Sequence, residues 1–148
     1  AIVEREHMGG ICLNWGCIPT KALLRSAEVY SHIAHAADYG IKADKYEADV
    51  EAIVKRSRGV TQQMSNGVGF LMKKNKITVL NGRGELVGPK RVAVHGSDGD
   101  QEIEAGSIVL ATGSATVELP FMPFDGDRVV SSTEALELAE ELAATLAP

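Results

Sequence analysis

Apolar positions along the chain repeat first at helical spacing and then at strand spacing. Ala-Ile-Val at residues 1–3 reads as the last part of a β-strand. Over residues 22–39, Leu23, Ala27, Tyr30 and Ala34 recur at three- and four-residue steps. That spacing predicts an amphipathic helix, with Gly40 as its natural stop. A second helix is predicted over 46–75 from Ile53, Val60, Met64, Val68, Leu71 and Met72. Gly59, Gly67 and Gly69 weaken it by roughly 1 kcal/mol each relative to Ala, or admit a close backbone or ligand. From Lys76 the pattern shortens to β-rich segments at 77–80, 91–95, 101–104 and 107–111. Asn81-Gly82 and Asp98-Gly99 supply turns, and residues 94–101 read as a hairpin connection. Pro120 and Pro123 then interrupt regular structure before a short strand at 128–130. Ser131 with Glu134 has capping-box spacing and opens a terminal helix predicted to run through residue 146. The order βααβββββα predicts an α/β nucleotide-binding domain carrying an inserted β-meander. Residues 1–75 form its strand-and-helix half, and 76–148 its meander, a return strand and the last helix.

Composition narrows the function classes. The chain has 148 residues, 45% hydrophobic and 24% charged, which suits a single domain with a core. No apolar run approaches the ~20 residues of a membrane-spanning helix. A net charge of −5 gives no electrostatic case for nucleic acid or an anionic membrane. The basic residues Lys55, Arg56, Arg58, Lys73, Lys74 and Lys76 lie among helical apolar positions and read as solvated helix faces. Residues 1–6 turn acidic at once, unlike a secretory leader, and no initiator Met is present. The chain therefore reads as a piece of a longer protein.

The two cysteines, Cys12 and Cys17, lie close together in a glycine-rich context. On a regular helix their Cα atoms would be about 8–9 Å apart, beyond the roughly 7 Å limit for a disulfide. A bridge between them requires a distorted backbone, for which Gly16 and Pro19 supply the means. Helix formers Lys21-Ala22-Leu23-Leu24 follow, so the cysteines are expected where a helix begins. Helix N-terminal N–H groups favour a thiolate there, and Lys21 adds positive charge on the face of Cys17. Three other readings compete. A purely structural bridge of so small a ring would contribute only about 2 kcal/mol. A zinc site could recruit His32 and His35, but a second close ligand pair is missing. Two unrelated buried thiols fit the dense glycine and proline context poorly. Redox use is the favoured reading.

The run Gly-Gly-Ile-Cys-Leu-Asn-Trp-Gly-Cys-Ile-Pro-Thr-Lys at 9–21, followed by Ala-Leu-Leu, resembles the active-site signature of the pyridine nucleotide-disulfide oxidoreductases. Ile-Val-Leu-Ala-Thr-Gly-Ser at 108–114 resembles the family's second flavin-binding strand and turn, and Asn81-Gly82-Arg83-Gly84 the stretch that meets the adenine part of FAD. Within the family, Leu13 and Ile18 point to the branch that oxidises dihydrolipoamide, since glutathione and mercuric reductases usually have Val at one of these places. Thr20 replaces the commoner Ser and keeps a hydroxyl.

The resemblance implies a partial FAD-binding Rossmann-like domain and a set of roles. Glu4 accepts from the ribose hydroxyls of FAD. Gly9, Gly10 and Cys12 line the flavin site, with Lys21 near the ring system. Gly84, Thr112, Gly113 and Ser114 meet the cofactor through backbone groups. Cys12 is the interchange thiol and Cys17 the flavin-side thiol of a redox disulfide. Electrons pass from dihydrolipoamide, carried by the acyltransferase component of a 2-oxo acid dehydrogenase complex, through FAD to NAD+. A homodimer is implied, in the cytoplasm of a bacterium or the mitochondrial matrix of a eukaryote. The family's first strand and G-x-G-x-x-G loop would precede Ala1, and its NAD and dimerisation domains would follow Pro148. None of His7, His32, His35 and His95 matches the family's catalytic base, so all four read as structural. The alternatives are a sister FAD-dependent reductase for glutathione, mercuric ion or NADP, and a non-catalytic fragment that keeps the signature.

Overall fold

The structure, a computed structural model, describes residues 1–97 and 99–137. It begins with strand β1 (Ile2–Glu4), followed by a short helix α1 (Gly10–Trp15) and helix α2 (Cys17–Ala34). A single 3-10 turn (Ala36–Tyr39) leads to the long helix α3 (Val50–Lys74). Then come β2 (Val79–Asn81), β3 (Arg83–Gly88), β4 (Arg91–Gly96), β5 (Gly99–Glu104) and α4 (Ser132–Ala135). This is the expected α/β arrangement. β1 and β2 pair in parallel, Ile2 with Val79 and Glu4 with Asn81, so α1, α2 and α3 form the crossover between them. β3, β4 and β5 form an antiparallel meander. Val94 at its centre is fully buried.

Local chemistry explains where the helices start and stop. Asp49 accepts from the Ala52 N–H at 2.9 Å, so α3 begins at Val50 rather than near Tyr46. Tyr46 lies before the helix and packs edge-on against Tyr30 of α2, ring centroids 5.2 Å apart. α2 begins at Cys17, five residues earlier than its apolar periodicity predicts, and ends at Ala34. Gly40, in the left-handed region, stops the 3-10 turn instead.

Three strand expectations change. Residues 107–111 join no ladder among the described residues; Val109 and Leu110 are 86% and 68% exposed. High β-propensity without a neighbouring strand does not make a sheet. The same holds for 128–130, where the backbone wraps around Asp125. Conversely, β3 runs through Arg-Gly-Glu-Leu-Val-Gly, an exposed edge strand without apolar alternation, and carries no sequence signal of its own. The hairpin joins β4 to β5 as expected. The Ser131–Glu134 capping box is present, both hydrogen bonds formed. The terminal helix beyond residue 137 lies outside the described residues.

Candidate redox site

A disulfide joins Cys12 to Cys17 across the break between α1 and α2, with Cα atoms 4.7 Å apart. The distortion falls at Gly16, the residue shared by both helix ends. A Cβ there would sit 3.2 Å from the Ile11 carbonyl oxygen and 3.3 Å from the Cys12 Cα, tighter than ordinary contact, so glycine eases the start of the second helix this close to the first. Pro19 does not break the helix. It is fully buried in the first turn of α2, where a missing N–H leaves no helical bond unmade. Cys12 therefore sits in α1, and Cys17 is the first residue of α2. Thr20 folds back over the junction: its N–H and its hydroxyl both donate to the Gly16 carbonyl, at 3.1 and 2.7 Å.

This position gives the two sulfurs different electrostatics. Cys17 lies at the N-terminus of an 18-residue helix with no acidic residue in its first turn. The helix dipole and free N–H groups favour a thiolate there. Cys12 sits in a six-residue helix and has no comparable field. Both cysteines are exposed, so a thiol substrate can reach the bridge.

Several groups hold this elbow from behind. Gly9 takes φ 101° before α1, and a Cβ there would run into the Leu13 side chain at 2.6 Å. Asn14 is 6% exposed, and its Nδ2 donates to the carbonyls of Met8 and Gly10 at 3.1 and 2.9 Å. From α3, Ser65 Oγ donates to Met8 (3.1 Å), Arg58 to Asn14 (3.0 Å) and Arg56 to Ala22 (2.9 Å), each onto a carbonyl. Arg58 is half-buried and turns inward rather than lying on a solvated face; Arg56 stays exposed as expected and reaches the Ala22 carbonyl from there. Lys55, Lys73, Lys74 and Lys76 are exposed as expected. The Arg58 guanidinium also lies 4.6 Å from the centroid of the Trp15 ring. Sequence alone does not single out Asn14, Trp15, Arg56, Arg58 or Ser65, because their partners lie up to 57 residues away.

The remaining candidates lie around this unit. Gly10 faces open space, and Lys21 is exposed on α2. Glu4 ends β1 half-buried; its Oε1 accepts from the Glu6 N–H at 2.8 Å, and Oε2 has no partner among the described residues. Gly84 on β3 lies against β1, where a Cβ would meet Val3 Cγ1 at 3.3 Å, so its lack of a side chain eases close strand packing. Thr112, Gly113 and Ser114 are exposed, and no hydrogen bond ties them to the dithiol unit among the described residues. His7 packs beside Trp15 (centroids 6.4 Å apart), and His35 Nδ1 is 2.8 Å from the Ser31 carbonyl. His95 Nδ1 is 2.8 Å from Asp100 on the meander. An FAD site fits this set in two respects. Gly10, Cys12, Cys17 and Lys21 are each exposed, and Glu4 Oε2 has no partner among the described residues.

Comparison with known proteins identifies the family. The chain is 45% identical over 138 residues to dihydrolipoyl dehydrogenase of Zymomonas mobilis, covering 93% of this chain and 30% of that protein. It is 40% identical over 141 residues to dihydrolipoyl dehydrogenase of Bacillus subtilis, covering 94% and 31%. It is also 40% identical over 141 residues to the mitochondrial dihydrolipoyl dehydrogenase 1 of Arabidopsis thaliana, covering 94% and 28%. The chain thus spans about a third or less of these relatives. The crystal structure of LpdA from Mycobacterium tuberculosis superposes with a TM-score of 0.83 at 22% identity, over 93% of this chain and 30% of that one, and shares its fold. No helix among the described residues is long and apolar enough to cross a membrane. The pyridine nucleotide-disulphide oxidoreductase family matches residues 1–148, and this chain belongs to it.

Proposed function

We propose that this chain is the dithiol-bearing section of a dihydrolipoyl dehydrogenase, in which the Cys12–Cys17 disulfide oxidises dihydrolipoamide. The observation that carries the reading is the exposed disulfide astride the α1–α2 break, with Cys17 at a helix N-terminus. A substrate thiolate attacks Sγ of Cys12, forming a mixed disulfide and expelling Cys17 as thiolate. The better-stabilised thiolate leaves faster, which favours attack at Cys12 over attack at Cys17. The second substrate sulfur then attacks the substrate-side sulfur of the mixed disulfide and releases Cys12. Dihydrolipoamide has lost two electrons and two protons and become lipoamide; the electrons now sit on the two cysteine sulfurs, Cys12 takes one proton as a thiol, and the other passes to water.

Bound FAD would accept those two electrons and deliver them as hydride to NAD+. Gly9, Gly10, Cys12 and Lys21 would hold its ring system, Glu4 its ribose, and Gly84 with Thr112, Gly113 and Ser114 its remaining length. Cys17 would be the sulfur on the flavin side. The full protein would act as a homodimer on the lipoyl groups of a 2-oxo acid dehydrogenase complex. The identities to dihydrolipoyl dehydrogenases support this substrate over glutathione or mercuric ion. In the full-length FAD-loaded protein, Cys17→Ser is expected to remove the long-wavelength thiolate–flavin absorption of the reduced state while FAD stays bound. Cys12→Ser is expected to keep it. Retention of the band in Cys17→Ser overturns the assignment.

A further inference from the structure

The carbonyl at the C-terminal end of α1 and the indole beside it meet one cation. Arg58 reaches from α3 to donate to the Asn14 carbonyl at 3.0 Å, and its guanidinium lies 4.6 Å from the Trp15 ring centroid. His7 packs against the same ring, 6.4 Å between centroids. Arg58 Nε and Nη2 are buried and make no hydrogen bond among the described residues. The aromatic ring is therefore what compensates that part of the desolvated cation. Asn14 and Trp15 lie between the two cysteines in sequence, so this contact grips the segment that must stay bent for the sulfurs to meet.

We propose that Arg58 is a positioning residue for the redox dithiol, acting through Trp15 and the Asn14 carbonyl to keep the elbow closed after the disulfide is reduced. The proposal rests on the redox reading of Cys12 and Cys17 above. Once the covalent bridge is gone, the two thiols re-form it in proportion to how often they remain in closing geometry. A clamp from α3 raises that fraction and so stabilises the disulfide relative to the dithiol. Lysine cannot replace it, because an ammonium lacks the planar fork that stacks on a ring and donates sideways to a carbonyl.

The test is the Cys12–Cys17 midpoint potential of the full-length FAD-loaded protein. It is poised against lipoamide–dihydrolipoamide mixtures and read by thiol alkylation and mass spectrometry. Arg58→Met is expected to lower the disulfide-forming constant about tenfold, a rise of about 30 mV in midpoint potential. Arg58→Lys is expected to recover less than half of that shift. In a Trp15→Leu background, Arg58→Met is expected to add little; Trp15→Phe serves if the leucine variant does not fold. The proposal is overturned if Arg58→Met leaves the constant within twofold of wild type, even with a lower melting temperature. It is also overturned if Arg58→Lys restores it fully, or if the two substitutions are additive. A wild-type bridge that dihydrolipoamide does not reduce at all overturns the redox reading itself, and the clamp with it.

Discussion

Replacing Asn14 with leucine removes two hydrogen bonds from the back of the dithiol elbow and leaves a side chain of similar size in place. Asn14 is buried, and its Nδ2 reaches Met8 at 3.1 Å and Gly10 at 2.9 Å, latching the loop before α1 onto the helix. Each such bond contributes about 1 kcal/mol net. The Met8 carbonyl keeps its bond from Ser65, so no full desolvation cost is added there. The loss is therefore about 2 kcal/mol, which raises the opening equilibrium of α1 about thirtyfold. Asn14→Asp should cost more, because it turns a carboxylate toward the two carbonyl oxygens that the amide N–H groups now satisfy. The assay is hydrogen exchange with mass spectrometry on the full-length FAD-loaded protein. Peptides covering residues 9–21 are compared with peptides covering 91–104. Faster exchange in the first set, unchanged exchange in the second, and Asp worse than Leu is the expected pattern. Exchange over 9–21 within threefold of wild type for both variants refutes the latch.

Val94→Ala deletes the fully buried side chain at the centre of the meander and is expected to cost about 2 kcal/mol. Accelerated exchange over 91–104 checks it, and unchanged protection contradicts it. The backbone N–H of Val129 above all, then that of Asp127, with a lesser share from Arg128, hold the Asp125 carboxyl below the usual aspartate range against an opposing effect of desolvation. A depressed folded pKa means the loop 125–129 has this stabilisation in full above the unfolded pKa and loses it as pH falls through the folded one. An NMR titration of the Asp125 carboxyl carbon should therefore show a midpoint below the usual aspartate value; a midpoint at or above that value refutes the wrapped-loop reading.

How much of this was legible in sequence differs by feature. A bridge at this cysteine spacing requires a broken backbone, and the break falls at Gly16, where a side chain would crowd Ile11 and Cys12. Where α2 begins is not legible from periodicity. Its first turn is Cys-Ile-Pro-Thr, and the buried Pro19 looks like a breaker until its place in that turn is known. The two long helices, the hairpin and the Ser131–Glu134 cap follow from local chemistry and are found in the structure. The unpaired segment 107–111 is different: its apolar run encodes strand propensity, but pairing depends on a neighbour that local sequence does not contain. The supports of the elbow are the least legible part. Arg58 reads as one of several basic residues on a helix, and only the fold brings it 44 residues back along the chain to Asn14.

Alkylation of Cys12 and Cys17 before and after reduction by substrate tests the central claim most directly. The full-length protein is incubated anaerobically with one equivalent of dihydrolipoamide, quenched with iodoacetamide, and the peptide spanning both cysteines is weighed. The account predicts no label before reduction, two labels after it, and one lipoamide formed for each pair. Full labelling without reductant, or a bridge that dihydrolipoamide leaves intact, would contradict it.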